Sequence, residues 1–212
     1  MNRISIRNNT FNTGSDEFEA ELEIIIVNAA PVQRIYYANE FDPNAAQAPV
    51  CWSSDTRQPD SQVFEKQAVR CMDCKHDIRG SASGGGRACK YSQKLAVLLK
   101  DDPNVYQLHI PASSIFGRAK DGHMPLQEYA RFLQQHSTPS MTVFTKMYFD
   151  KDSAVPKLFF APLRPLEETE LELSQSMVEH PDTLAAITLD FSRLEETNSS
   201  PFEETEGFTL NA

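Results

Sequence analysis

Four cysteines constrain the fold of this chain more than any other feature. They are confined to one 39-residue window of the 212 residues, at Cys51, Cys71, Cys74 and Cys89. Cys71 and Cys74 form a C-x-x-C pair, whose turn directs both sulfurs to one point. Four thiolates are the ligands of a closed structural zinc site, which supplies folding energy that a Gly- and Ser-rich loop cannot obtain by burial. The spacing therefore predicts one structural zinc ion.

Other uses of these cysteines stay open. His76, two residues after Cys74, could replace one of the four ligands, because the chain has only one C-x-x-C pair. Buried free thiols and a redox-active pair are the remaining alternatives. The redox alternative is disfavoured, because the pair does not open a helix at the end of a strand as a thioredoxin-like motif does.

A run of three glycines, Gly84 to Gly86, raises the question of a phosphate-binding loop. The stretch "SGGGRACKYS" lacks the G-x-x-x-x-G-K-[ST] order and follows no strand-like apolar run. We expect the glycines instead to let the backbone bend so that Cys89 reaches the metal, or to form a mobile lip over bound nucleic acid.

The net charge of −10 is distributed unevenly along the chain. Residues 1–49 hold 3 Lys+Arg against 7 Asp+Glu, residues 50–164 hold 16 against 11, and residues 165–212 hold 1 against 12. The middle segment is therefore +5 and the last segment −11. A basic body joined to an acidic end indicates a nucleic-acid partner and a tail that can compete for the same surface.

Hydrophobic patterns indicate a mainly β fold with a few short helices. Strands are predicted at 18–30, 34–41, 95–99, 105–110, 141–149 and 157–166. The first two could pair with each other, and the last two flank a hairpin connection. Short helices are predicted at 166–179 and 181–187, and an amphipathic helix at 124–136 with an apolar face formed by Leu126, Tyr129, Ala130 and Leu133.

These elements predict a single domain over residues 1–190. We expect an OB-like barrel or antiparallel sheet with a zinc-binding insertion at about residues 50–92. Residues 191–212 have too little apolar content to pack and are predicted to be a flexible, disordered acidic tail.

Basic residues and aromatic rings lie close to the cysteines in the sequence. Residues 70–100 hold seven Lys and Arg against two Asp. Cations neutralise phosphates and aromatic rings stack on unpaired bases, so the two together are typical of a surface that binds single-stranded nucleic acid. Alternation in the strand at 141–149 puts Phe144, Lys146 and Tyr148 on one face. The residues expected to bind nucleic acid are Tyr36, Trp52, Arg79, Arg87, Lys90, Tyr91, Lys94, Phe144, Lys146 and Tyr148, with Phe64 among the further candidate rings.

The order of these motifs resembles a family of tailed-bacteriophage proteins, some of which are regarded as single-stranded DNA-binding replication proteins. The resemblance covers about residues 34–190 and is most specific in C-W-S-x-D from Cys51, the C-x-x-C pair and G-R-A-C-K ending at Lys90. It implies a zinc-stabilised, OB-like DNA-binding body in the cytoplasm of an infected bacterium. It also implies an acidic tail, residues 195–212, that recruits replication proteins with Phe202 and Phe208 as anchors, although this tail ends in "FTLNA" and not in an aromatic or acidic cluster.

The sequence therefore predicts a bacteriophage protein that binds single-stranded DNA without sequence preference in replication or recombination and is not an enzyme. No membrane partner is expected, because no stretch approaches about 20 apolar residues and the N-terminus lacks the apolar centre of a secretory signal. One alternative is a transcription or host-takeover adaptor that binds a polymerase. Another is a metal-dependent nuclease using Asp150 and Asp152, although no known catalytic motif is present.

Overall fold

The computed structural model describes residues 2–14, 18–38, 48–189 and 191, which form a mainly β protein with a curled half-barrel sheet. Its strands are β1 (Asn2–Arg7), β2 (Thr10–Asn12), β3 (Glu21–Ala29), β4 (Gln33–Tyr36), β5 (Cys51–Ser53), β6 (Cys89–Leu99), β7 (Asp102–Pro111), β8 (Val143–Phe149) and β9 (Leu158–Pro165). Its helices are α1 (Ala112–Ile115), α2 (Leu126–Gln135), α3 (Glu168–Met177) and α4 (Pro181–Ile187).

The long strand β6 organises the sheet. The strand order is β2-β1-β7-β6-β3-β8-β9, with β1 parallel to β7 and the other neighbours antiparallel. On one side β6 pairs with β7, and on the other side it pairs with β3 along Leu95–Leu99 and with β4 along Cys89–Ser92. The predicted pairing of the strands at 18–30 and 34–41 with each other is therefore wrong for the described residues, because β3 and β4 follow one another along β6.

One face of the sheet packs against α2 and forms the larger core. Ile24 on β3, Leu95 on β6 and Tyr129 on α2 are almost fully buried there. The rings of Phe11 on β2 and Phe149 on β8 lie 4.4 Å apart between centres. Contact between these two strands, which are well separated in the sheet order, shows how far the sheet curls. We call this side the α2 face.

The opposite side, which we call the α4 face, is covered by α3 and α4. Leu98 on β6, Phe144 on β8 and Ala186 on α4 form a second, smaller core. The amide of Gln107 on β7 donates a hydrogen bond of 2.6 Å to the carbonyl of Ala186, which fixes the end of α4 against the sheet.

Most predicted elements are confirmed, with some differences. β1, β2, β5 and α1 had no counterpart in the prediction, and β6 begins six residues before its apolar part. In α2 the side chains of Leu126, Tyr129 and Leu133 are buried as expected, but Ala130 is exposed. The hairpin of β8 and β9 is confirmed. No helix of the described segments has both the length and the apolar character that a membrane crossing requires.

Candidate functional site

Strand pairing places two of the four cysteines, Cys51 and Cys89. Tyr36 on β4 lies opposite Cys51 on β5 and also opposite Cys89 on β6. Residues directly opposite one another in a sheet project to the same face. The two sulfurs therefore lie on the same side of three neighbouring strands, which is the α2 face by the alternation along β6.

The other two cysteines come from the segment between β5 and β6, residues 54–88, which we call the insertion. Two short 3-10 turns, Cys71–Asp73 and Lys75–Asp77, carry Cys71 and Cys74. The amide of Cys71 donates to the carbonyl of Arg57 at 2.9 Å, which ties the C-x-x-C turn to the loop after β5. All four cysteines are buried free thiols that line one cavity of about 20 Å³. This volume corresponds to roughly one water-sized object.

Polar groups lie close to two of the cysteine sulfurs. The backbone of Gln67 and the Ser53 hydroxyl, which donates to Asp55 at 3.2 Å, lower the pKa of Cys51 and of Cys71 in part. Burial raises the pKa of all three thiols with a resolved shift, and that of Cys89 to about 12. These groups are therefore neutral thiols at pH 7 unless a cation binds among them.

The four cysteines have the chemistry that zinc requires, but their side chains do not point to one common metal position. Within the described segments, no three His, Cys, Asp or Glu side chains are placed to hold a metal ion. The zinc site therefore stays a prediction that rests on the donor set and the shared cavity. The alternative ligand His76 stacks on Tyr36 with 3.9 Å between ring centres, and its Nε2 lies 3.2 Å from the amide oxygen of Gln67.

Arg34 holds the insertion on the sheet, and sequence analysis missed this role. Its guanidinium forms an ion pair of 2.7 Å with Asp77 and donates to the carbonyl of Cys71 at 3.0 Å. It also lies 4.4 Å above the centre of the Tyr91 ring. The available signal was an arginine placed by alternation on the same face of β4 as Tyr36.

The carboxylates of the insertion are largely used inside it. Asp60 accepts two hydrogen bonds from Ser54, and Asp55 accepts from the backbone of Arg57. Asp73 pairs with Arg70, and Asp77 pairs with Arg34 and Arg87.

Several cations are left without such partners. Among the exposed cations of the insertion and the start of β6, those that make no ion pair with any described residue include Lys66, Lys75, Arg79 and Lys90. The insertion and the start of β6 therefore carry a small excess of positive charge, with Glu65 as an exposed carboxylate on the same segment.

The predicted rings near the cysteines differ in their exposure. Tyr91 is half-buried between Arg34 and the edge of Phe116. Trp52 is only 8% exposed, because its side chain lies on the α4 face under Phe191. Phe64, by contrast, is fully exposed on the insertion.

The predicted residues on β8 form a separate group. Phe144 is buried under Arg164, whereas Lys146 and Tyr148 are half-exposed. Lys146 pairs with Glu21 at the far end of the sheet. Nine residues of β6, about 30 Å of strand, separate Lys90 from that end. The structure thus groups the predicted residues of β4, β5, β6 and the insertion at one end of the sheet. Tyr36 and Tyr91 lie on the α2 face there, whereas Trp52, Lys90 and Lys94 lie on the α4 face, and the residues of β8 lie away from both groups.

The insertion also exposes apolar side chains. The large hydrophobic residues of this segment that face solvent are Phe64, Val69, Met72 and Ile78. Exposed apolar groups on one small segment mark an interaction surface more often than isolated ones do.

The two carboxylates considered for a nuclease lie in the turn between β8 and β9. Asp150 pairs with Lys157 at 2.9 Å and accepts a hydrogen bond from the backbone of Asp152 at 3.0 Å. Both oxygens of Asp150 are therefore engaged within the hairpin.

The tail residues Phe202 and Phe208 lie outside the described residues. No protein-family model matches the chain, and comparisons with curated proteins and with solved structures give no match. Function must therefore be argued from the site itself.

Proposed function

We propose that this chain binds single-stranded DNA without sequence preference and is not an enzyme. The observation that carries the proposal is the charge arrangement of the insertion. Its aspartates all have hydrogen-bond or ion-pair partners, Asp77 with Arg34 of β4. Lys66, Lys75 and Arg79 of the insertion, Lys90 and the ring of Phe64 face solvent instead. Exposed cations and an exposed ring on one segment are the two components that a single-strand surface needs.

Each component has a distinct physical role. The four cations neutralise phosphates and release condensed counterions, which gives affinity without sequence information. Phe64 stacks on a base, and such stacking contributes about 1–3 kcal/mol. Bases in a duplex are already stacked on one another, so this ring favours single strands.

Zinc belongs to this proposal as a structural cofactor. Cys51, Cys71, Cys74 and Cys89 would hold it, and it would supply the folding energy that keeps the basic insertion in one shape. The cavity that all four cysteines line supports this, because it brings the four donors to one place. A closed set of four ligands leaves no position for catalysis.

The wider context rests on the sequence resemblance alone. An OB-like identity for the half-barrel, an origin in a bacteriophage, a place in replication or recombination in the host cytoplasm, and recruitment of replication proteins by the tail with Phe202 and Phe208 all remain part of the proposal. The described sheet supports only the mainly β architecture that such proteins need.

Fluorescence anisotropy tests the proposal with a labelled 20-nucleotide DNA strand, the matching duplex and the matching RNA. We expect binding to the single strand with weak binding to the duplex. Four phosphate contacts predict a slope of log affinity against log salt near −2.8, or about a 50-fold loss between 50 and 200 mM salt. Equal affinity for the single strand and the duplex would overturn the proposal.

A second candidate function, an adaptor that binds a polymerase, is favoured by the exposed apolar side chains of the insertion. Val69, Met72 and Ile78 have no use in a purely electrostatic surface. Absence of nucleic-acid binding in the anisotropy assay, together with binding of a purified polymerase that is lost in Met72→Asp, would favour the adaptor.

A further inference from the structure

Beyond the exposed insertion, a covered patch lies on the α4 face at the junction of β4, β5 and β6. Trp52 lies opposite Ile35, which in turn lies opposite Lys90. One row further along, Gln33 lies opposite Ser92. Alternation along β6 places Lys94 on this same face. The patch therefore combines the only tryptophan of the chain with two lysines and two neutral polar side chains.

Two polar atoms in this patch have no hydrogen-bond partner among the described residues. They are the amide oxygen of Gln33 and the hydroxyl of Ser92, on side chains that are almost fully buried. A buried polar group without a partner destabilises a fold by about 1–3 kcal/mol. A ligand that carries hydrogen-bond donors and acceptors would satisfy both atoms.

The cover is the short segment after α4, Thr188, Leu189 and Phe191, which we call the strap. Phe191 contacts Trp52 edge to face, with 5.1 Å between ring centres. Lys94 Nζ donates to the carbonyl of Thr188 at 2.6 Å. Leu189 packs on the same small cluster. The strap thus presents an aromatic ring to Trp52 and an oxygen acceptor to a lysine.

These are the contacts that one nucleotide of a single strand would make. A base would stack on Trp52 where Phe191 lies, and a phosphate oxygen would accept from Lys94 where the Thr188 carbonyl lies. We infer that the patch is a second single-strand subsite, closed by the strap and opened when nucleic acid displaces it. Lys90, which has no carboxylate partner among the described residues, lies at its rim and joins it to the exposed surface of the insertion.

This inference rests on the proposed function, and it predicts competition between the strap and the strand. Because the strap is tethered, it competes at a high effective concentration. An aromatic pair contributes about 0.5–1.5 kcal/mol beyond its buried area, which corresponds to about a 2- to 12-fold change in affinity. Removal of the Phe191 ring should therefore strengthen single-strand binding by that factor.

Intrinsic fluorescence reports on this site directly, because Trp52 is the only tryptophan. We expect Phe191→Ala to increase acrylamide quenching of Trp52 and to tighten binding of a 20-nucleotide DNA strand about 2- to 12-fold. Leu184→Ala is the matched control, since Leu184 is an exposed residue of α4. It should change neither quantity. Circular dichroism checks that both variants fold.

If Phe191→Ala does not fold, titration of the unaltered protein with the 20-nucleotide DNA strand tests the subsite. A base stacked on Trp52 should quench its emission at saturation. Binding that leaves Trp52 emission unchanged, or binding whose strength is unaffected by Phe191→Ala, overturns the subsite while leaving the proposed function intact. Failure of both the unaltered protein and Phe191→Ala to bind any single strand overturns the proposed function and the subsite together.

Discussion

Arg34 and Asp77 form an ion pair of 2.7 Å between Nη1 and Oδ2, with side chains only 9% and 14% exposed. The pair joins β4 to the second turn of the insertion. Because Arg34 also donates to the carbonyl of Cys71, one side chain fixes both turns that surround the C-x-x-C motif. The insertion is therefore held to the sheet by a contact that does not require a metal.

We expect Arg34→Met to destabilise the protein by about 3 kcal/mol, because it removes the closest partner of the largely buried Asp77 and leaves only the more distant and more exposed Arg87. The double variant Arg34→Met with Asp77→Leu should be less destabilised than either single variant, since it leaves no uncompensated charge. Urea unfolding measures the free energies, and hydrogen exchange of residues 71–88 shows whether the insertion opens first.

A matched control exists in the same segment. Arg70 pairs with Asp73 at 2.7 Å, but both side chains are more than half exposed. Arg70→Met should therefore cost less than about 1 kcal/mol. Equal losses in the free energy of unfolding for Arg34→Met and Arg70→Met would show that Arg34 does not hold the insertion on the sheet.

Zinc binding is the second prediction. Protein purified without chelators should contain one equivalent of zinc by elemental analysis, and Cys74→Ser should lose it. Thiols must lose their protons to bind the metal, so zinc affinity should fall as the pH decreases. His76→Ala is the control, because His76 stacks on Tyr36 and should be dispensable. Full structure in metal-free protein that also rejects added zinc would leave the cavity as a set of buried thiols.

The sequence predicted the apolar parts of the sheet well, because their patterns are local. Leu95–Leu99 is apolar on both faces, since one face packs on α2 and the other on α4. The first half of β6 was missed for a physical reason. On one face Tyr91 contacts Arg87 of the insertion, and on the other Lys94 contacts the strap, so polar residues replace the usual apolar alternation.

The candidate site was predicted in the same uneven way. The cysteine spacing indicated a shared site, and all four side chains line one cavity. Exposure of the rings could not be predicted, because it depends on partners distant in sequence. Trp52 is covered by Phe191, 139 positions later, and Phe144 is covered by helices that follow it. A ring in a basic segment therefore indicates a surface only when the residues that cover it are known.

The third prediction concerns Tyr129, whose hydroxyl hydrogen-bonds the buried hydroxyl of Thr145 at 2.7 Å. Tyr129→Phe should cost about 1–2 kcal/mol below pH 9, because it leaves the Thr145 hydroxyl without its partner. Burial raises the pKa of Tyr129 to about 12, above the value of 10.0 in an unfolded chain. The stability that depends on the neutral form is fully present below pH 10 and is lost as the pH rises through about 12.

The pH dependence separates this effect from a simple loss of packing. Between pH 9 and pH 11 the unaltered protein should lose about 1 kcal/mol more than Tyr129→Phe does, since only the former has a Tyr129 phenol to ionise on unfolding. Urea unfolding at the two pH values gives the difference. Parallel losses in both proteins would show that Tyr129 does not titrate in this way.

The last prediction tests the charged surface of the insertion. The double variant Lys75→Ala with Arg79→Ala should weaken binding to all single strands uniformly and make the salt slope shallower by about 1.4, since each phosphate contact contributes about 0.7 for a single strand. Lys151→Ala with Lys120→Ala is the matched control, because both are exposed lysines outside the insertion. An equal change in slope for the two double variants would mean that the charge of the whole protein, and not the insertion, governs binding.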